Sequence, residues 1–341
     1  MTKASAIFLG FFSLFWTALV GAFDYGVVGS LVRQVRAADY PTTPGRITRS
    51  EITHRRGSKG GTLYGARLIY SYQVNGHNYA GSRYRYPQAG SSDYPWVAQL
   101  VAAHPLGAQV TVHYRPEQPA DAILATGIEG GDLALLLFML PFNLLGLGLW
   151  AGLIAWGLTA GRSSPTGGAP VLQRGYRTHV RLSPVSPILV AGNVTAGAAF
   201  VAILILGAST RFHPSLDAAT GTWAVVLGSG VGVYLWRWAR VRAGLEDLVI
   251  DDTSQTLLLP MTFGRKRRVA INLANVLAVE VRQTTQRSSK GGTRCLFAPT
   301  LLLRDAEPDH AKLSSWSNQT KAETFAAWLR QRLGLAPDPA R

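Results

Sequence analysis

Four long stretches of the chain carry no charged side chain, and their lengths limit the fold more than any other feature. Ala4 to Phe23 crowds Ile7, Phe8, Leu9, Phe11, Phe12, Leu14, Phe15, Trp16, Leu19 and Val20 together without an Asp, Glu, Lys or Arg; the others are Leu133 to Ala160, Val185 to Gly207 and about Ala218 to Leu235. A bilayer core asks for about 20 apolar residues per helix, and each stretch meets that length. The expected spans are 4–32, 131–161, 185–208 and 216–238, the second absorbing its excess length by tilt or by a kink at Pro141, beside Asn143. Only 16% of residues are charged, against about 25% in soluble domains, so a net charge of +15 does not by itself point to nucleic acid. Cys295 is the single cysteine, which excludes an internal disulfide and a multi-cysteine zinc site.

Orientation follows from the loops. The 162–184 connection holds Arg162, Arg174, Arg177 and Arg181 and no acid, whereas the third and fourth runs are joined by a segment with Arg211 and Asp217. Positive residues stay on the cytoplasmic side. Four spans then leave both termini in the cytoplasm of a bacterial inner membrane, with 162–184 as a basic loop there and residues 33–130 outside. Arg33 and Arg36 argue locally the other way, but a large domain translocates largely regardless of charge. A cleavable signal peptide is the rival for the first run, since Val20-Gly21-Ala22 has the small residues a signal peptidase prefers. Within the four runs Asn143, Asn193, Thr195 and Ser229 are polar and no residue is ionisable, which disfavours pumps and proton-coupled carriers. Gly192 and Ala196 in the third run, and Gly228 and Gly232 in the fourth, are expected to form a close helix-packing surface.

The segment after the first run has the period of strands. Gly45 to Thr53 reads as a strand, Gly60 and Gly61 break the chain, and Ala66 to Val74 places Leu68, Tyr70, Tyr72 and Val74 on one face. Asn75-Gly76 then predicts a tight hairpin, because both turn positions need positive φ, with His77, Tyr79 and Gly81 through Tyr84 and Tyr86 returning. Ser92-Asp93-Tyr94-Pro95 predicts a helix start, with Trp96, Val97, Leu100 and Val101 at helical spacing, and Gln109 to Tyr114 a further strand stopped by Arg115 to Pro119. Tyr70, Tyr72, Tyr79, Tyr84 and Tyr86 are candidate partner-binding residues, since tyrosine combines apolar area with a polar tip; cross-strand packing is the plainer use of the same residues. His54, His77, His104 and His113 have no metal-ligand spacing and no acidic dyad, so no catalytic or metal site and no cofactor is expected.

These residues carry a resemblance. Tyr70-Ser71-Tyr72-Gln73-Val74-Asn75-Gly76-His77-Asn78-Tyr79, then Pro105-Leu106-Gly107, then Val110-Thr111-Val112-His113-Tyr114-Arg115-Pro116 with Pro119 and Ala122-Ile123-Leu124, resemble the bacterial membrane family called domain of unknown function 3592, over about residues 4 to 160. The resemblance implies a small extracytoplasmic β-rich domain between two spans. It implies no activity, and no site residue carries over.

Past Arg242 the strand period returns at Leu248 to Ile250, Thr256 to Leu259, Val269 to Ile271, Val276 to Val281 and Leu296 to Leu303, the last following a Ser288 to Gly292 loop. An amphipathic helix from about Asn318 to Leu333 closes the segment, with Phe325, Trp328, Leu329 and Leu333 on its buried side. A run of strands capped by one helix over 243–336, with Val269 to Val276 and Ala278 to Val281, resembles bacterial pleckstrin-homology-like domains. The resemblance implies binding or scaffolding. Arg265, Lys266, Arg267 and Arg268, together with Arg237, Arg240 and Arg242, are candidate lipid-facing residues for anionic headgroups of the inner leaflet, each worth about 1 kcal/mol near such a surface. Nucleic acid is not expected, since 16 basic residues face 10 acidic from Ala239 onward and no aromatic reading pattern accompanies them. The fold expected is therefore membrane α-helical, with four spans, plus α+β modules outside and inside. The expected function is a non-enzymatic interaction or scaffold protein of the envelope with an unidentified protein partner; toxin capture at the membrane and an envelope hydrolase are the alternatives.

Overall fold

A computed structural model describes residues 3–56, 62–87, 91–159, 164–182, 185–263, 265–287, 293–304 and 310–336. The Gly60-Gly61 break, Arg162 and the 288–292 loop lie outside these residues. The chain divides into two compact units, residues 1–153 with 193–229, and residues 154–192 with 230–341.

In the first unit, helix α1 (Lys3–Arg36) leads into an antiparallel sheet of β1 (Thr42–Arg56), β2 (Thr62–Val74), β3 (His77–Gly81), β4 (Gln109–Arg115) and β5 (Gln118–Ile123), in the order β3-β2-β1-β4-β5. Asn75 and Gly76 take φ of 50° and 80°, so the β2–β3 hairpin turns as its sequence predicts. Helix α2 (Tyr94–Ala102) rests on β1 and β2. Inward positions of three central strands, Ile47, Tyr70, Tyr72, Val74 and Val112, form the core together with Ala122. After the stop expected at Arg115 to Pro119 the chain turns back as β5 along β4: Tyr114 pairs with Ala122 and His113 with Ile123. Pro119 is tolerated there because β5 is an edge strand, where a missing donor breaks no ladder. The two edges approach each other through Arg83 and Asp121, whose charges meet at 2.5 Å.

Helices α3 (Gly130–Thr159), α4 (Pro187–Thr210) and α5 (Leu216–Arg242) follow the sheet. Segments Ala4–Asp39, Gly130–Leu158, Pro187–Thr210 and Leu216–Arg242 are long and apolar enough to cross a membrane. Their large side chains mostly face outward, Phe8 and Phe11 being 73% and 71% exposed, as expected of surfaces that meet lipid. Leu137 of α3, Ala199 and Ile203 of α4 and Val226 of α5 are buried against one another. This differs from the packing expected through Gly192, Ala196, Gly228 and Gly232: a methyl built on Gly192, Gly228 or Gly232 meets no atom within 4 Å. Close approach occurs instead at Gly130, where a Cβ would lie 2.3 Å from the Pro214 carbonyl, and at Gly207, where it would strike the Phe212 ring. Small residues permit contact only where the helix face carrying them is turned toward a neighbour.

Helix α1, expected over 4–32, continues to Arg36, and it carries Asp24, one residue past the uncharged run, to a place beside α3, where the Asn143 amide donates to its carboxylate at 3.2 Å and to the Met139 carbonyl.

The second unit contains two sheets. One runs β10-β9-β8-β7-β6 and is built from β6 (Val171–Arg174), β7 (Arg177–Arg181), β8 (Asp247–Asp251), β9 (Thr256–Leu258) and β10 (Ala270–Asn272). The other runs β11-β12-β13, from β11 (Val276–Arg287), β12 (Thr293–Leu303) and β13 (His310–Lys312). Helix α6 (Gln319–Leu333) closes them, capped by the Asn318 side chain, which accepts from the Lys321 amide at 3.0 Å, and stopped by Gly334 in the left-handed region. Val180, Leu248, Ile250, Leu257, Leu301, Phe325 and Leu329 are buried in the shared core. The 162–184 segment, expected as a basic loop, thus supplies two strands of the sheet. Two of its arginines are paired locally, Arg177 with Asp251 at 2.7 Å and Arg181 with Asp247 at 3.7 Å, while Thr178 and Val180 point inward.

Candidate functional site

The tyrosines expected on a recognition surface are largely structural. Tyr70 is fully buried, and its hydroxyl proton is shared between the carbonyls of Ala122 at 2.8 Å and Arg83 at 2.9 Å. Burial pushes its ionisation well above the ordinary tyrosine value. Tyr72 donates to the Pro119 carbonyl at 2.6 Å and stacks on half-buried Tyr79 with ring centres 5.7 Å apart. Tyr84 meets His104 edge to face, and the guanidiniums of Arg33 and Arg83 each lie over the Tyr86 ring, 5.4 and 5.5 Å from its centre. Inward alternation and the curl of the sheet spend these side chains on packing, so they do not form an exposed patch. The four histidines of the sheet module are not brought together, and no metal-binding cluster occurs among the described residues.

The polar constellation of this unit lies where the sheet module meets the helices, and sequence reasoning missed it. Gln34, fully buried near the end of α1, donates to the carbonyls of Ala125 and Gly127 at 2.9 and 3.0 Å and accepts from the Tyr86 amide at 2.9 Å. Arg85 grips Asp132, in the first turn of α3, with contacts of 2.6 and 3.2 Å, and reaches Glu129 at 3.1 Å; both members of the Arg85–Asp132 pair are buried. Asp132 also accepts the Glu129 amide at 2.9 Å, as an acid at a helix N-terminus does. The signal available was that acid, one residue before the second uncharged run.

Beside this pair, the α4–α5 turn passes through Arg211 and Phe212, both in the left-handed region at φ 51° and 65°, and presents His213. Its ring stacks on Trp96 with centres 4.3 Å apart, and its Nε2 lies 2.8 Å from the Ser91 hydroxyl. Burial lowers its proton affinity, opposed by the nearby carboxylates of Asp93 and Glu129. A cavity of about 770 Å³ opens here, with an apolar floor from α1, α3 and α4 and a rim that includes Glu129, Arg211 and His213. That volume is in the range of small-molecule sites, about 300–1,000 Å³.

In the second unit the seven candidate lipid-facing residues separate into two groups. Arg237 and Arg240 converge on buried Glu246, and Arg240 also lies over Trp236. Arg265 donates to the carbonyls of Pro260 and Lys312 at 2.9 and 2.7 Å, and Arg268 to that of Gly244; burial lowers the proton affinity of both. These four serve the fold. Arg242, over Trp238, and Lys266 and Arg267 remain exposed. A second cavity of about 630 Å³ is bordered by Arg304, His310 and Lys312, and the acids Asp305, Glu307 and Asp309 that separate the first two in sequence lie outside the described residues. Cys295 is exposed on β12.

Residues 43–129 match the family model described as Domain of unknown function (DUF3592), which covers the sheet module and the approach to α3. No curated protein and no solved structure matches the chain.

Proposed function

We propose that this chain, similar over residues 43–129 to the Domain of unknown function (DUF3592), is an integral protein of the bacterial inner membrane that binds partners and does not catalyse. In this reading both termini are cytoplasmic, residues 33–130 face outward, and the 243–336 segment is a pleckstrin-homology-like module joined by β6 and β7. The two sheets closed by α6 support that likeness. The observation that carries the proposal is the fastening of the outer sheet to its helices by Gln34 and by the buried Arg85–Asp132 pair. A module held by buried hydrogen-bonded and ion-paired side chains keeps a fixed orientation on its span, which suits a platform for recognition. On the inner side Arg242, Lys266 and Arg267 are free to meet anionic headgroups, and tethering beside the membrane makes weak attraction sufficient.

The test uses the full chain with Cys295→Ser. An impermeant thiol reagent applied to intact spheroplasts is expected to label Leu106→Cys and to label Tyr176→Cys only after permeabilisation; both native side chains are exposed. The reverse pattern would overturn the orientation. A photocrosslinking residue at Leu106 should give a discrete protein adduct in cells, and its absence would count against partner binding on this face.

A further inference from the structure

The cavity beside His213 is graded along its length. Phe23 and Val27 of α1, Leu135 and Phe138 of α3 and Ile203 of α4 line one end. From Gly130 to Phe138 the helix rises about 12 Å, close to the half-thickness of a hydrocarbon core of about 30 Å. The other end carries both signs of charge. The Arg211 side chain is 74% exposed and pairs with Asp93 at 3.8 Å. Glu129 is half-exposed, gives one carboxylate oxygen to Arg85, and keeps Oε1 without a hydrogen-bond partner among the described residues. Arg85 itself is buried, engaged by Asp132 and Glu129, and its Nε has no partner. Two cations and two carboxylates therefore line the cavity, and the pair left available at the rim is one of each, Arg211 and Glu129.

We propose that the cavity holds one zwitterionic phospholipid from the leaflet on the side of the sheet module. An acyl chain lies between Phe23 and Phe138, the phosphate meets Arg211, and a primary ammonium meets Glu129. Charge complementarity selects this class. A headgroup with phosphate alone would face Glu129 and Asp132 with Arg85 already engaged, whereas one bearing both signs brings Glu129 a cation while Arg211, beside Asp93, meets the phosphate. Trp96, stacked on His213, stands at the polar end, where aromatic rings favour the headgroup level. The inference rests on reading the four apolar helices as membrane spans, but not on their orientation or on a protein partner.

Purified full-length protein in detergent, freed of native lipid, is exposed to phosphatidylethanolamine carrying a photoactivatable acyl chain, and the labelled residues are mapped. Labelling should concentrate on residues 23–31 and 134–138, and unlabelled phosphatidylethanolamine should compete at least about tenfold better than phosphatidylglycerol. Ala134→Trp, which fills the cavity, should abolish the focus. Arg211→Ala, at an exposed position outside the helices, should remove the headgroup preference with an unchanged unfolding midpoint, which guards against a misfolded tryptophan variant. Labelling spread equally over the outward faces that include Phe8 and Phe11 would overturn the site. Equal competition by phosphatidylglycerol would overturn the headgroup assignment. Because the readout is made in micelles, it stands or fails separately from the orientation test in spheroplasts.

Discussion

Replacing Arg85 by methionine tests the junction between sheet and helices most directly. The substitution removes both contacts to Asp132, whose side chain is 4% exposed, and leaves that carboxylate with the Glu129 amide as its donor among the described residues. Breaking one side of a buried pair costs about 3–5 kcal/mol, because the remaining charge is stranded in low dielectric. The contact to Glu129 adds little, since its partner is half solvated, so Glu129→Gln should cost no more than about 1 kcal/mol. Combining Arg85→Met with Asp132→Asn removes the stranded charge and should recover part of the loss, giving a coupling of about 2–3 kcal/mol in a double-mutant cycle. Equilibrium unfolding of the full chain in mixed micelles, followed by tryptophan fluorescence, supplies all four free energies. A loss below about 1 kcal/mol for Arg85→Met, or simple additivity of the two substitutions, would refute the claim that this pair fastens the module.

Three further outcomes are expected. Arg265→Ser should destabilise the chain by about 1–3 kcal/mol by orphaning the carbonyls of Pro260 and Lys312, whereas Lys266→Ser with Arg267→Ser should stay within about 0.5 kcal/mol. In proteoliposomes, hydrogen exchange around 265–268 should slow with phosphatidylglycerol at low salt and recover at high salt, and loss of that effect in the double variant would assign it to the exposed pair. His213 sets the acid response of the α4–α5 turn. The unfolded chain takes up its proton near the ordinary 6.5 and the folded chain only below it, so stabilisation is full above 6.5 and falls as pH drops through the lowered folded value. The unfolding midpoint should therefore fall between pH 7.5 and 5.5 more for the native chain than for His213→Asn, and equal slopes would contradict the assignment.

Local patterns in the sequence determined the elements. The uncharged runs specified four helices because hydrocarbon length and backbone hydrogen bonding leave little choice. Asn75-Gly76 specified a hairpin because both residues sit at positive φ, and the period of Phe325 and Leu329 specified which face of α6 is buried. Tertiary structure alone decided which polar groups meet. Arg85 and Asp132 are 47 positions apart, and Ser91 and His213 are 122 apart, so no spacing rule connects them. The same physics explains the residues whose roles changed. Tyr70 went to the core because sheet curvature brought the Arg83 and Ala122 carbonyls to its hydroxyl, and Arg237 and Arg240 turned to Glu246 because a buried carboxylate must be paired. Strands β6 and β7 were hidden because their outward arginines masked two inward positions, Thr178 and Val180, whose burial depends on β8, contributed about 70 residues later in the chain.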